Sequence, residues 1–555
     1  MPPPTASLLF TLATALPFVF GITTPPTANV WPLLASAACA WLMAALAWAG
    51  HAPPTPAGPA QPGWLANALV LAALLGGSIG LLQYFQGDPG LAPWVRPSSI
   101  GQAIGNLRQR NQQATLIALG LWALLWWLAR LQQQALQAVP GASRAASAWR
   151  PLLLVSLAPA ALALLAAAGA ATVSRTGALQ WLLVLALLLC WWRSSGLLAL
   201  AAALLGLAML ALASWQLPLL LHELTGLPVE SLWARVTDSQ AGRSCTSRGV
   251  LWGNVLQLIA QRPWAGWGWG ELDWAHYITP LPGERFCLLL DNAHNLPLHL
   301  AVELGLPVAL LACAGTLWLL LRARPWRESQ PQRQLAWGVL ALVGLHSLLE
   351  FPLWYGPFQL ISLLALLVLL QPWLTRHWQA LGRPLQRALH ALAGLGLLLA
   401  LLLAARLVQD YRAVSVLYRP YEDRPAALRS LDALELAQQL WFFRPAAEFA
   451  WLTTTPVTPE QAAPMHAMAL RLLHYSPEPR VIEKLIASAQ LLGLQDEAAL
   501  HRDRLRRAWP SEYAAWLRRQ AAAGPPTNPP TNPPASEPAS AAPTATPERK
   551  TPAPG

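Results

Sequence analysis

The stretch Leu290–Leu311, LDNAHNLPLHLAVELGLPVALL, changes character within a few residues. Asp291, Asn292, His294 and Asn295 crowd its start, and a run of Leu, Ala and Val follows. A membrane-crossing helix needs about 20 mostly apolar residues and gains nothing from such neighbours. An imidazole set among amides and a carboxylate at the mouth of a span therefore reads as chemistry placed at a water–lipid boundary.

The rest of the chain agrees with that reading. Its 555 residues are 55% hydrophobic and only 11% charged, against about 25% charged in a soluble protein. The net charge of +11 comes almost entirely from arginine, since Lys484 and Lys550 are the only lysines. Arginine suits phosphate, because its planar fork meets phosphate oxygens in pairs. The arginines are scattered between apolar runs and form no basic stripe, so nucleic acid is not the expected partner. Membrane lipids and lipid phosphates are.

Candidate spans fall at roughly 5–22, 30–50, 64–85, 113–131, 151–172, 177–192, 195–217, 295–321, 335–349, 356–372 and 386–408, about eleven in all and between ten and twelve. The expected fold is all-α and polytopic. The N-terminal run lacks a basic leader and a small-residue cleavage site, and reads as an uncleaved first span. Basic loops at Arg130–Arg150, at Arg193, at Arg322, Arg324, Arg327 and Arg333, and at Arg376, Arg383 and Arg387 then share one side, the cytoplasm. The segments 86–112, 218–294 and 350–355, with everything after about 409, lie outside. Arg96, Arg108 and Arg110 break the charge rule on that outer face.

This gives five regions: N-terminal spans over 1–217, a large outer loop over 218–294, C-terminal spans over 295–408, a soluble helical region over 409–520 and a tail over 521–555. In the fourth, apolar residues recur at helical spacing, and the piece from Pro479 reads as two amphipathic helices joined at LGLQ, the look of a TPR-like helical hairpin. The tail is rich in Pro, Ala and Thr, cannot build a core and is expected to be disordered. Cys39, Cys190 and Cys313 lie in spans as packing residues. Cys245 and Cys287 share the outer loop and can pair if it faces an oxidising compartment. Closing a loop of about 40 residues would contribute roughly 3–4 kcal/mol on a chain-entropy view.

Four polar groupings map to the outer side. GQAIGNLRQRNQQAT offers Asn106, Arg108, Gln109, Arg110 and Asn111, a set for sugar hydroxyls and phosphate or else a solvated loop. TVSRTG puts Arg175 in a turn between spans, where a charge needs a partner or a pathway, although a turn arginine can also reach lipid headgroups. Arg248 opens an amphipathic segment that leads into GWGWGELDW. Its glycines lack the strand–turn–helix setting of a dinucleotide site. Trp264, Trp267, Trp269 and Trp274 could stack on sugars or form an interfacial belt. LHSLLEFPLWYGPF places His346 and Glu350 four apart, with Tyr355 following. His294 and His299 lack the spacing of a metal motif, so a metal site is poorly supported; no cofactor is expected.

A substrate anchored by a polyprenyl tail would hold its diphosphate and glycan at this boundary. Diphosphate is a good leaving group once arginines match its charge, so what remains is to deprotonate or orient an acceptor hydroxyl. Histidine suits that task, and His294 reads as the base, with Asp291 or the asparagines setting its tautomer. GNLRQRNQQATL, SRTG, SRGVLW, DNAHNLPLHLAVELG and LHSLLEFPLWYGPF, in this order, resemble the bacterial O-antigen ligase and polymerase superfamily (the Wzy/WaaL-like proteins), and within it the protein O-oligosaccharyltransferases of the PglL type. The resemblance implies a GT-C-like fold in the bacterial inner membrane with a site facing the periplasm. It implies metal-independent, en bloc transfer of a glycan from undecaprenyl pyrophosphate to Ser or Thr hydroxyls of a pilin or periplasmic protein. It assigns catalysis to His294, Asn295 and Glu350, and substrate binding to Arg175, Arg248, Arg108, Asn106 and Tyr355.

Two rivals stay open. An O-antigen ligase or polymerase would use the same donor with another hydroxyl. A flippase for lipid-linked glycans would place charges near mid-membrane on repeated, broken helices. No internal repeat is visible, and the polar residues cluster at the outer ends of spans.

Overall fold

A computed structural model describes residues 3–51, 63–137, 149–237 and 244–523. Among these residues every regular element is helical. The chain divides into two compact units, Met1–Ala404 and Ala405–Gly555.

The first unit contains α1 (Pro3–Val19), α2 (Val30–Trp48), α3 (Trp64–Gln86), α4 (Arg110–Leu136), α5 (Trp149–Ala171), α6 (Arg175–Cys190) and α7 (Trp192–Thr225). Three short helices follow in the large loop, α8 (Leu232–Thr237), α9 (Arg248–Gln261) and α10 (Leu272–Ile278). Then come α11 (Leu296–Leu304), α12 (Leu306–Ala323), α13 (Pro331–Ser347), α14 (Gly356–Ala380) and α15 (Arg383–Leu417), whose last residues belong to the second unit. Seven helices, α2, α3, α4, α7, α12, α14 and α15, are long and apolar enough to cross a membrane, and α1, α5 and α6 contain shorter apolar stretches. The protein is a multi-pass, all-α membrane protein.

The span expected over 295–321 is two helices. Gly305 separates α11 from α12 with φ 89°, a left-handed conformation that costs a residue with a Cβ. A Cβ at Gly305 would also stand 2.2 Å from the Trp264 carbonyl oxygen, so only glycine fits this break. Pro307 then starts α12, where its missing N–H costs nothing. The break leaves α11 as a short helix carrying His299 and Glu303, both buried.

Helix α4 is the centre of the unit. Leu116, Ile117, Leu119, Leu121 and Leu125 are all buried, the pattern of a helix covered on every side. Two of its polar side chains are pinned: Gln113 Nε2 donates to the Gly76 carbonyl at 2.7 Å and Trp122 Nε1 to the Leu335 carbonyl at 3.1 Å. In an apolar interior each such bond removes an unsatisfied group that would otherwise cost the fold. The segment before α4 is lashed down by Gln83, whose amide oxygen accepts from the N–H of Gly105 at 2.7 Å and whose Nε2 donates to the Arg96 carbonyl at 2.9 Å. That lashing sets where α4 begins.

The second unit holds α16 (Ala433–Gln439), α17 (Arg444–Thr454), α18 (Ala462–Leu472), α19 (Pro479–Leu491), α20 (Gln495–Ala508) and α21 (Pro510–Ala523). Consecutive helices pack on one another. The amphipathic pattern read from the sequence is α19, which buries Val481, Ile482, Leu485, Ile486 and Ala489. The turn to α20 falls at 492–494, inside LGLQ, with Gly493 at φ 76°. The last helix reaches Ala523, and residues 524–555 of the Pro-rich tail lie outside the described residues. So do residues 138–148 of the basic loop.

Candidate active site

Three chain reversals build the site, and each contains a non-glycine residue with positive φ. These are Arg108 (64°) before α4, Val173 (50°) before α6 and His294 (49°) before α11. A β-branched valine in that region is strained, and strain of this kind persists where the surroundings over-determine it. The His294 turn is held by Asn292, buried, whose Oδ1 accepts from the His294 N–H at 2.8 Å.

Glu350 is the hub. It lies beyond the end of α13, 3% exposed, and four side chains from three segments converge on it. His294 Nδ1 stands 2.6 Å from Oε2, Asn111 Nδ2 donates to Oε1 at 2.8 Å, Gln109 Nε2 donates to Oε2 at 3.1 Å, and Arg248 forms an ion pair with Oε1. Burial by itself would raise the Glu350 carboxyl, but the His294 hydrogen bond and charge, the Arg248 charge and the Gln109 amide outweigh it. The carboxyl is held below the ordinary carboxylate range, so it is ionised at neutral pH. An ionised carboxylate can only accept, so His294 Nδ1 is the donor, and in the neutral imidazole this leaves the lone pair on Nε2. Glu350, and neither Asp291 nor an asparagine, fixes the imidazole. Asp291 lies on the exposed rim within electrostatic reach of His294.

The two arginines share one local design. Ser174 caps α6 by accepting from the Gly177 N–H at 3.1 Å, and Arg175 is the first helical residue. Ser247 caps α9 by accepting from the Val250 N–H at 3.3 Å, and Arg248 is the first helical residue. Each guanidinium thus springs from a helix start, where the dipole and free N–H groups favour an anion. Arg175 is exposed, and its charge disfavours the charged form of Arg248, whose pKa is lowered chiefly by burial and held up in part by Glu350. Two cations at such close quarters are eased by a polyanion.

The remaining expected residues have other duties. Asn106 is buried and spends its amide on backbone: Nδ2 donates to the carbonyls of Val19 at 2.6 Å and Trp94 at 2.7 Å, and Oδ1 accepts from the Arg96 N–H at 3.2 Å. Its place is in the scaffold. Asn295 caps α11, accepting from the Leu298 N–H at 3.0 Å and donating to the Leu348 carbonyl at 2.9 Å. That geometry makes it a clamp between the His294 and Glu350 segments. Arg108 is committed to Asn29 and to the Tyr355 hydroxyl, so these two expected ligands hold each other. His346 and Glu350 do not share a helix face, because α13 ends at Ser347. The His346 carbonyl accepts from the Glu350 N–H at 2.8 Å, while its buried ring meets the Thr115 hydroxyl at 2.8 Å.

Sequence reasoning grouped Gln109 and Asn111 with their neighbours without singling them out, and it passed over Ser174. A serine directly before a helix-opening arginine, as in SRTG, is the signal that could have found it. Cys245 and Cys287 are bonded, with Cα atoms 5.5 Å apart. Among the described residues, no three His, Cys, Asp or Glu side chains converge as metal ligands.

Parts of the chain match known family models. Residues 103–128 match a model described as protein glycosylation ligase, 160–313 one described as O-antigen ligase, and 334–523 one described as virulence factor membrane-bound polymerase, C-terminal. A general O-oligosaccharyltransferase of Acinetobacter baylyi (strain ATCC 33305 / BD413 / ADP1) is 28% identical over 114 residues, which span 20% of this chain and 19% of that relative. These matches support a PglL-type member of the superfamily of O-antigen ligases and polymerases.

Proposed function

We propose that this protein transfers a preassembled glycan from undecaprenyl pyrophosphate to a Ser or Thr hydroxyl of a periplasmic or pilin protein, at a site on the periplasmic face of the inner membrane. The observation that carries the proposal is the 2.6 Å contact between His294 Nδ1 and an ionised Glu350. It leaves Nε2 as a proton acceptor beside two arginines at helix starts.

In this reaction Arg175 and Arg248 take the diphosphate and match the charge that grows as it leaves. His294 Nε2 removes the acceptor hydroxyl proton as the oxygen attacks the anomeric carbon. The bond from that carbon to the diphosphate oxygen breaks, and undecaprenyl pyrophosphate departs with the electron pair. Glu350 stabilises the imidazolium formed, while Asn111 and Gln109 fix the carboxylate. Tyr355 and Arg108 brace the wall behind it. This chemistry calls on side chains alone.

The match to the O-antigen ligase model supports a second reading, in which the same donor is used with a glycolipid or glycan hydroxyl. The test is reconstitution of the full chain with lipid-linked oligosaccharide and, in parallel, a pilin-type protein and a lipid A–core acceptor. Transfer to protein, lost in His294→Ala while donor still binds, is the expected result. Transfer only to lipid would move the assignment to the ligase reading, and wild-type rates in His294→Ala would overturn the base.

A further inference from the structure

Resting on the transferase reading, we infer that the open face of Trp269, stacked on Trp354, is a subsite for a pyranose ring of the donor glycan.

Trp269 is 62% exposed, yet it is not loose. Its ring lies over Trp354 with centroids 6.3 Å apart and planes 14° from parallel, an offset stack. The imidazole of His299 meets both indoles edge-on, at 4.9 Å from Trp354 and 6.0 Å from Trp269. One face of Trp269 is thus backed by protein and the other is free.

The loop that carries it is locked to α11. The N–H of Trp267 donates to the Val302 carbonyl at 2.9 Å and that of Gly268 to the Glu303 carbonyl at 3.0 Å. Gly266 sits at φ 67°, where a Cβ would stand 2.3 Å from the Glu303 carbonyl oxygen. The aromatic face is therefore held in place before any ligand arrives, and little ordering cost remains for binding.

Its position points to sugar. The short turn after Glu350 carries Phe351, whose ring lies edge-on to the His294 imidazole at 4.8 Å, and then Trp354 beneath Trp269. Base and platform are thus joined through four residues of one turn. Tryptophans that face lipid in this protein stand on the outer sides of apolar helices, as Trp215 on α7 and Trp318 on α12 do. Trp269 stands on a glycine-pinned loop beside the proton acceptor. Flat aromatic faces suit the C–H faces of pyranoses, which carry no charge for an arginine to read.

Full-length protein in proteoliposomes gives the test, with transfer kinetics for Trp269→Ala, Trp269→Leu and Trp269→Phe. Undecaprenyl pyrophosphate without sugar serves as a competitor. Loss of the ring should raise the donor KM about three- to tenfold, the worth of one aromatic stack, with kcat kept. The inhibition constant of the sugar-free competitor should stay unchanged. Phe should restore the donor KM, and Leu, which keeps apolar area without a π face, should not. An unchanged donor KM in Ala and Leu would overturn the subsite and leave the transferase reading intact. A rise in KM and inhibition constant together would also overturn it, assigning Trp269 to lipid contact. Absence of transfer by the wild-type protein would instead sink the reading beneath both.

Discussion

The Ser174 hydroxyl donates to Asn111 Oδ1 at 2.7 Å while its oxygen accepts the Gly177 N–H that starts α6. One hydroxyl therefore does two jobs. It fixes which end of the Asn111 amide faces Glu350, and it orients the helix start from which Arg175 projects. In the proposed reaction this links the diphosphate-binding arginine to the proton acceptor. Ser174→Ala should lower kcat roughly three- to tenfold, the worth of one hydrogen bond, and raise donor KM by a comparable factor. Thr, which keeps the hydroxyl, should restore both. Steady-state kinetics on the two variants check this, and an unchanged kcat in Ala would break the link.

Glu350→Gln tests the hub. Glutamine cannot hold the imidazolium by charge, and its amide matches only some of the four partners. The kcat should fall by about 10²–10⁴, the usual contribution of a positioned general base. Because the carboxyl is depressed in the folded protein, its contribution to stability is complete above the unfolded value of about 4.3 and is lost as pH falls through the folded value. Wild-type melting temperature should therefore drop below about pH 4, and Glu350→Gln should flatten that limb. Thermal melts across pH 3–7 read the difference.

Asn106 and Arg175 should separate cleanly. Asn106→Ala removes three hydrogen bonds from a buried amide to partly buried backbone groups, each worth about 0.5–1.5 kcal/mol, so the melting temperature should fall. Arg175→Ala removes an exposed side chain with no hydrogen-bonded partner among the described residues. It should leave the melt unchanged and raise donor KM at least tenfold, in the range of a lost charge-assisted phosphate contact. Melting curves and donor titrations on the two variants decide it. A raised donor KM in Asn106→Ala without loss of stability would return Asn106 to the binding site.

These contrasts show where the sequence was legible. Apolar runs of span length locate most long helices, because burial in lipid leaves no alternative to intrahelical hydrogen bonding. The same logic fails at Gly305, where one glycine within an apolar run turns a single expected span into two helices. His294 and Arg175 stood out because polar or charged groups beside lipid demand a reason, whereas Glu350 and Arg248 were singled out through the family resemblance, and the structure brings Arg248, His294 and Glu350 together. Asn106 and Arg108 look alike in sequence but point into the scaffold, and only the backbone carbonyls of Val19 and Trp94, far away in the chain, reveal it. Gln109 and Asn111 were hidden for the opposite reason. A polar loop offers many amides, and which of them face Glu350 depends on how Gln83 lashes the loop.

The bond between Cys245 and Cys287 bears on the site directly. Cys245 precedes Arg248 by three residues and Cys287 precedes His294 by seven, so the link ties the arginine segment to the histidine segment. Between them the loop is filled by a small core of Leu251, Val255, Leu258, Leu272, Phe286 and Leu290. A core this small has little to set against the freedom of an open loop. Replacing both cysteines by serine should cost the loop about 3–4 kcal/mol on the chain-entropy view. Limited proteolysis should then cut within 246–286 at protease levels that spare the wild type. Donor KM should rise with the loss of Arg248 placement, while Trp269→Phe in the same background should add nothing further. Equal protease resistance and equal KM in the double serine variant would show that the core alone holds Arg248 against Glu350.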